Sequence, residues 1–297
     1  MEDRNALVLR APAKINLSLK VTGRRDDGYH LLDTLMHKLE LSDELSIALC
    51  DQGVHLACTD STLPVDERNL VHRAATLFLH ATRTRRCGKR AGVRFELHKN
   101  IPVGAGLGGG SSDAAAALKG LNLLHGQPCD AAELAELGVQ LGADVPFFLT
   151  DFLAARATGI GEILQAVEPL RDLFVVLVNP GFSVSTRWVY QNFALTPHGN
   201  TGNLNSSESN FFEGSIGTTE TGMPYCASVN DLETVTAVRY PVIGQIKDDL
   251  LAAGARLALM SGSGPTVFGL FLDRDQAEAC LGLCRQRYAF SVLTVPA

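Results

Sequence analysis

The segment from Pro102 to Leu118 constrains the fold more than any other, because a glycine-dense turn runs directly into an alanine-rich helical sequence. Five of its residues are glycines, at positions 104, 106, 108, 109 and 110. Glycine permits left-handed backbone and close approach to a ligand. Ser111–Asp113 are residue types typical of helix caps and are expected to cap the following helix, whose first amides attract negative charge. The segment therefore predicts a phosphate-binding loop followed by a helix.

Two better-known phosphate loops do not fit this segment. The Walker pattern needs Gly-Lys followed by Ser or Thr, whereas Gly88-Lys89 is followed by Arg90. Gly104–Gly109 does match G-x-G-x-x-G letter for letter. A dinucleotide fingerprint, however, directly follows an apolar strand and has an acid about 20 residues later. Here the polar segment Lys99–Pro102 intervenes and the next later acid outside the loop, Asp130, opens another helix, which argues against that site.

The composition limits the class of protein and its ligands. With 297 residues, 46% of them apolar, the chain can bury a full core, and we expect two domains, 1–160 and 161–297. The net charge of -6 excludes a global attraction to nucleic acid or an anionic membrane. An anionic ligand must then be held by local amides and a few cations. The basic run Arg83–Arg90 is interpreted as a solvated loop.

Cysteine usage and the N-terminal sequence indicate a cytoplasmic protein. The seven cysteines form an odd set without C-x-x-C spacing, so neither a disulfide framework nor a thiolate metal site is predicted. The N-terminus lacks the apolar region of a signal peptide. No apolar run approaches the ~20 residues that span a bilayer.

Hydrophobic periodicity predicts an α+β protein with an antiparallel-rich second half. Strands are predicted over 6–11, 15–21, 44–49, 54–58, 93–98, 152–157, 162–167, 173–178, 256–260, 265–272 and 290–295. Helices are predicted over 69–82, 111–124, 131–141, 230–239, 242–253 and 274–287. We interpret 44–49 and 54–58 as a hairpin pair. Residues 195–225, rich in Gly, Ser, Thr and Asn, are predicted to be a mobile surface excursion.

Three ordered segments together resemble the GHMP small-molecule kinases: Ala11–Leu19, the loop Pro102–Ala117, and Ser261–Phe268. The resemblance covers nearly the whole chain and implies the two-domain fold of that family. Its parts are an N-terminal ATP-binding α/β domain and a C-terminal ferredoxin-like α+β sandwich. The 195–225 insertion is the main departure from the family pattern.

Four further segments are similar to one branch of the family: Thr22–His30, Leu141–Phe148, Asn179–Thr186 and Asn230–Glu233. The resemblance implies transfer of the γ-phosphoryl group of ATP to a tertiary hydroxyl of a cytidine diphosphate-linked methylerythritol, a step in non-mevalonate isoprenoid precursor biosynthesis. ATP chemistry implies Mg²⁺, whose ligands the sequence does not identify. The implied partners are small molecules, with no nucleic acid or membrane, and the chain is expected to be a monomer or weak homodimer.

The resemblance also assigns roles to individual residues. Lys14 and Asp144 are the implied catalytic pair. The ATP phosphates are expected on Pro102, Val103, Gly104, Ala105, Gly106, Leu107, Gly108, Gly109, Gly110, Ser111 and Ser112. Substrate contacts are expected from Asn16, Tyr29, His30, Thr186 and Tyr190, with Tyr29, His30 and Tyr190 around the cytosine. The glycines of Ser261–Gly264 are expected to let the second domain close against the phosphate loop.

Several alternatives stay open at this level. The chain is also compatible with another GHMP kinase acting on mevalonate, homoserine or a sugar, and less well with a nicotinamide oxidoreductase or a non-catalytic nucleotide-binding regulator. Lys14 and Asp144 are also compatible with a buried structural ion pair. Tyr29 and His30 are also compatible with a surface aromatic and a turn histidine.

Overall fold

The computed structural model describes residues 6–85, 92–193 and 229–297. The segment 195–225 lies outside the described residues, as does the greater part of the basic run 83–90. Across the described ranges, no helix combines the length and the apolar character needed to cross a bilayer. The cysteines within them, at positions 50, 58, 129, 280 and 284, are free thiols.

The described residues form alternating groups of strands and helices. The strands are β1 Leu7–Arg24, β2 His30–Cys50, β3 Val54–Cys58, β4 Gly92–His98, β5 Ala154–Thr158, β6 Ile163–Ala166, β7 Phe174–Asn179, β8 Leu257–Met260, β9 Val267–Phe271 and β10 Phe290–Thr294. The helices are α1 Leu70–Ala81, α2 Gly109–Leu124, α3 Ala131–Leu141, α4 Val145–Leu149, α5 Thr186–Phe193, α6 Glu233–Arg239, α7 Val242–Ala252 and α8 Arg274–Arg287.

The chain divides into two compact units, each assembled from separate segments. The first unit contains the described parts of Met1–Ala13, Leu41–Ile101 and Gly108–Asp151. The second contains Lys14–Glu40, Pro102–Leu107 and the described parts of Phe152–Ala297. The glycine loop therefore contributes to both units. The domain boundary expected near residue 160 stays a prediction.

In the first unit, the expected hairpin between 44–49 and 54–58 is wrong. Residues 44–50 of β2 pair with β4 in antiparallel fashion, and β3 pairs with the other side of β4 in parallel. The turn between β2 and β3 therefore crosses the start of β4 at Gly92. A Cβ there would lie 2.2 Å from the carbonyl carbon of Gln52. Only glycine leaves room for this crossing, which places β4 between the two strands.

Helices α1 to α4 complete the first unit, and two of them begin with side-chain caps. The Asn69 side chain accepts a hydrogen bond from the Val71 amide at the start of α1. Asp130, predicted as the cap of α3, forms a full capping box with Glu133. Such caps satisfy amides that have no partner inside the helix. Both helices therefore begin close to where the sequence predicts.

The second unit contains two groups of paired strands. The N-terminal part of β2 pairs with β5, and β5 pairs with β6. A separate antiparallel sheet has the order β10-β7-β9-β8. Its apolar side chains pack with those of α7 and α8 into one core, which includes Val176, Val178, Ile243, Ile246 and Leu250. This strand order and the helices packed on the sheet confirm the expected ferredoxin-like α+β arrangement.

Candidate active site

The first half of the glycine loop, residues 102–107, lies in the second unit and has left-handed backbone at two glycines. Gly104 has φ +62° and Gly106 has φ +78°. Ala105 and Leu107 are buried and anchor the loop. A Cβ on Gly106 would lie 2.1 Å from the carbonyl oxygen of Ser261. Glycine is therefore required at position 106 by the neighbouring backbone as well as by the conformation.

The end of the loop leads into α2 in the first unit, and the helix begins earlier than predicted. Gly108 is the N-cap residue, with φ +71° and no side-chain cap, and its carbonyl accepts the Ser112 amide at 2.9 Å. The expectation that Ser111–Asp113 cap this helix is wrong, because left-handed Gly108 already closes the first turn. The Ser112 hydroxyl is buried and has no hydrogen-bond partner in the described ranges. Such a hydroxyl beside open helix amides fits an anionic ligand.

Buried charges connect the chain before the loop to α2. Asp43 Oδ1 accepts hydrogen bonds from the amides of Asn100 and Ile101, the latter at 2.9 Å. Lys99 Nζ donates both to Asp43 Oδ2 and to Asp113 Oδ2, the latter at 2.8 Å. We call Asp43, Lys99 and Asp113 the charge triad. All three belong to the first unit.

The charge triad contains one cation and two carboxylates, which shifts its protonation. Burial raises the pKa of the Asp113 carboxyl to about 7; Lys99 opposes this shift, whereas the Asp43 carboxylate adds to it. Burial by itself lowers the pKa of Lys99, but Asp113 and Asp43 outweigh it and raise that pKa overall. One ammonium lies beside two buried carboxyl groups, and this arrangement favours the protonated form of Asp113.

A second glycine turn, Ser261–Gly264, supports the middle of the loop within the second unit. The Ser261 hydroxyl donates to the Gly106 carbonyl at 2.9 Å and accepts from the backbone amide of Asn16 at 3.3 Å. The Thr266 amide donates to the Ala105 carbonyl at 3.3 Å. Ser261 thus joins strand β1 to the loop through neutral groups. The predicted role of these glycines in closing one domain on the other stays a prediction.

Lys14 and Asn16 lie on β1, next to this turn. The Lys14 amide donates to the Leu107 carbonyl at 2.9 Å, and its ammonium donates to the Asn16 side-chain oxygen. A Cβ on Gly262 would lie 3.3 Å from Lys14 Nζ. The structure therefore brings two predicted site residues, Lys14 and Asn16, beside residues 102–107 of the loop.

Asp144 lies in the first unit, immediately before the short helix α4. Its side chain is partly buried and does not cap that helix, unlike Asp130 at the start of α3. The neighbours Val145 and Phe147 are buried and fix the backbone at this point. Since Lys14 belongs to the second unit, the approach of these two side chains stays a prediction.

The residues expected around the cytosine come together in part. His30 stacks on Tyr190, with ring centroids 5.2 Å apart and the planes at 26°. His30 also meets the edge of Phe193. Tyr29 is 60% exposed. Burial, and then the nearby Arg24 charge, lower the pKa of His30, so its ring is neutral at physiological pH.

Thr186 begins α5 and makes a hydrogen bond of 2.9 Å with Ser263, in the second glycine turn. This contact connects a predicted substrate residue to the turn that supports the phosphate loop. Both residues belong to the second unit.

The structure adds residues that the sequence interpretation missed. The sequence interpretation did not identify the hydrogen-bond partners of Asp43, Lys99, Asp113 and Ser261. Lys99 does have a sequence signal, since it is a lysine three residues before the loop proline, but its partner Asp43 is 56 residues away. Within the described residues, no group of three or more His, Cys, Asp or Glu side chains is arranged to hold a metal ion.

Comparison with protein families identifies the class of this chain. The model of the GHMP kinases N terminal domain matches residues 69–151, and that of the GHMP kinases C terminal matches residues 207–288. The chain belongs to the GHMP kinases. This membership confirms the kinase interpretation and the α+β fold, and it disfavours the oxidoreductase alternative.

Two relatives of this GHMP kinase have the same name. The 4-diphosphocytidyl-2-C-methyl-D-erythritol kinase of Syntrophotalea carbinolica is 48% identical over 274 residues, 91% of each chain. That of Geobacter metallireducens is 47% identical over 275 residues, 92% of each chain. A crystal structure of a 4-(cytidine 5'-diphospho)-2C-methyl-D-erythritol kinase is 34% identical, with a TM-score of 0.76, and the match covers 98% of this chain and 100% of the other.

Proposed function

We propose that this GHMP kinase transfers the γ-phosphoryl group of ATP to the 2-hydroxyl of 4-diphosphocytidyl-2-C-methyl-D-erythritol, in non-mevalonate isoprenoid precursor synthesis. The observation that carries the proposal is the 48% identity to a kinase of that name over 91% of both chains. We propose further that it works in the cytoplasm on small molecules, as a monomer or weak homodimer.

The phosphates of ATP are proposed to lie on residues 102–112. The left-handed glycines at 104, 106 and 108 and the first amides of α2 favour this use. Phosphoryl transfer needs positioning and stabilisation of charge rather than covalent chemistry from the protein. Backbone amides supply neutral donors for that purpose, and they do not titrate.

Magnesium is proposed to arrive bound to ATP. When bound, the ion neutralises phosphate charge. Magnesium in kinase sites keeps several waters and uses few protein ligands. Among the residues that the structure describes, no three metal-binding side chains form a cluster.

Lys14 and Asp144 are proposed as the catalytic pair. Lys14 presents an ammonium beside the phosphate loop, where it stabilises negative charge on the transferred group. Asp144 is proposed to orient the attacking hydroxyl and to accept its proton late in the transfer. A carboxylate is a weak base for an alcohol in the ground state, so orientation is its main contribution.

The cytosine is proposed to bind beside Tyr29, His30 and Tyr190. The exposed ring of Tyr29 offers an open face for stacking. A neutral His30 ring has one donor and one acceptor nitrogen, which suits the polar edge of a pyrimidine. Asn16 and Thr186 are proposed to line the cleft for the methylerythritol unit.

A coupled assay of ADP release tests this proposal with a panel of acceptors. The expected result is turnover with 4-diphosphocytidyl-2-C-methyl-D-erythritol and none with mevalonate or homoserine. Turnover with another acceptor instead would refute the substrate assignment. Asp144→Asn is expected to fold and bind ATP while transfer falls by orders of magnitude. Equal loss of Tm and activity would identify the pair as structural.

A further inference from the structure

The charge triad includes one residue that precedes the phosphate loop in the sequence, Lys99, and one that follows it, Asp113. Lys99 and the amides of Asn100 and Ile101 precede the loop, and Asp113 is the fifth residue of α2, which follows it. Lys99 hydrogen-bonds to Asp113 and to Asp43, and the two amides hydrogen-bond to Asp43. The triad therefore fixes the chain before the loop relative to the start of α2.

Asp113 is also close to the helix end that is proposed to receive phosphate. It lies four residues after Gly109, which is about 6 Å along the helix axis. A full negative charge there opposes an anion at the helix start, because the interaction is only partly screened in a buried environment.

The second carboxyl oxygen of Asp113 is a position where a proton can bind and remove that charge. Oδ1 is buried and has no hydrogen-bond partner in the parts of the chain described, whereas Oδ2 accepts from Lys99. A proton on Oδ1 neutralises the carboxyl without breaking the contact to Lys99. Both oxygens of the Asp43 carboxyl accept hydrogen bonds, Oδ1 from the Asn100 and Ile101 amides and Oδ2 from Lys99.

We propose that Asp43, Lys99 and Asp113 are positioning residues that hold the chain before the phosphate loop against the start of α2, and that the proton on Asp113 sets how strongly the helix start attracts a phosphate. This inference rests on the proposed use of the loop for ATP. The protonated triad is neutral and favours the nucleotide; the ionised triad carries one surplus negative charge and disfavours it.

Other titratable groups surround Asp113, so the test must isolate it. Cys58, on β3, and Asp60 are electrostatically linked to Asp113 and Lys99, respectively. The elements that pack on α2 carry further titratable groups: His72, Arg73 and His80 on α1, Glu133 and Glu136 on α3, and Asp144 before α4.

The experiment compares MgATP binding by wild type and Asp113→Asn from pH 6 to pH 8.5, by calorimetry. Asparagine keeps the size of the side chain and an oxygen for Lys99 but has no proton to lose. The ratio of the wild-type Kd to the variant Kd is expected to rise from about 1 at pH 6 to about 10 at pH 8.5. Taking the ratio cancels the titration of the nucleotide itself.

The matched control is Glu133→Gln, which removes one negative charge from the same unit at an exposed site on α3. It is expected to follow the wild-type pH profile. In steady-state assays, Asp113→Asn is expected to have a lower KM for ATP than wild type at pH 8.5 but not at pH 6, with kcat nearly unchanged.

If the ratio of the two Kd values stays constant across this pH range while wild type binds ATP, the inference is overturned and the proposed function is not affected. Wild type that binds no ATP at any pH would overturn the proposed function along with it. If Asp113→Asn does not fold, proton uptake by wild type decides the matter. Binding at pH 7.5, measured in two buffers of different ionisation enthalpy, is expected to take up protons because binding and protonation are reciprocal; no uptake would overturn the inference.

Discussion

The phosphate loop is held by neutral hydrogen bonds in its middle and by buried charges at its flanks. In the second unit, Ser261 connects the Gly106 carbonyl to β1 with a hydroxyl. In the first unit, Lys99 connects Asp43 and Asp113. A neutral contact does not titrate, and its loss leaves one or two unsatisfied polar groups. A buried charge group responds to pH and is damaged far more when one member is removed.

The largest effect is expected from Lys99→Met. This change leaves the buried carboxyl groups of Asp43 and Asp113 without their cation and should lower the free energy of unfolding by about 3 to 5 kcal/mol. Urea denaturation at neutral pH measures it. Lys119→Met is the matched control, since Lys119 pairs at 3.8 Å with the exposed Asp151 and should lose less than about 1 kcal/mol. Equal losses for the two variants would contradict the special role of the triad.

The next effect is expected from Gly106→Ala, on the neutral side of the comparison. The added Cβ meets the Ser261 carbonyl at 2.1 Å, and φ is +78°. Strain and overpacking together should cost about 2 to 4 kcal/mol, with a large loss of phosphoryl transfer. Gly282→Ala in α8 is the control, because apart from the adjoining helix backbone no atom lies within 4 Å of its added Cβ. That variant should gain about 0.5 to 1 kcal/mol. A fully active Gly106→Ala enzyme would exclude a fixed loop conformation.

A smaller effect is expected from Ser261→Ala. Loss of the hydroxyl leaves the Gly106 carbonyl and the Asn16 amide without this partner, at a cost of about 1 to 3 kcal/mol. Ser261→Thr keeps the hydroxyl and should recover much of the activity. Ser291→Ala is the control, since the buried Ser291 hydroxyl has no hydrogen-bond partner among the described residues. If both alanine variants have the same unfolding midpoint and activity, the bridge through Ser261 has no energetic role.

The smallest effect at neutral pH is expected from Asp113→Asn, which mainly changes the pH dependence of stability. The Asp113 pKa is raised from 3.8 to about 7 in the folded protein. Between these values the folded state binds more protons than the unfolded state, so this group makes the protein less stable as pH rises from about 4 to about 7. Urea denaturation at pH 5 and pH 8 should show a smaller decrease for the variant than for wild type. An identical decrease would show that Asp113 is not the titrating group.

The amino-acid sequence by itself determined the local features of this protein. The glycine loop, the α3 cap at Asp130 and the strands and helices of the ferredoxin-like part follow from backbone preferences and periodicity, which act over a few residues. The ordered family segments were also readable, because each is a short continuous motif around Lys14, the loop or Ser261.

Only the tertiary structure decided which distant groups meet. It placed β4 between β2 and β3, because the turn at Gln52 crosses the chain at Gly92. It also joined Asp43 to Lys99 across 56 residues and Asn16 to Ser261 across 245. Such pairs arise from packing of whole elements, so no local pattern specifies them. The physical reason is that hydrogen bonds and ion pairs act over a few ångströms in space, whatever the separation along the chain.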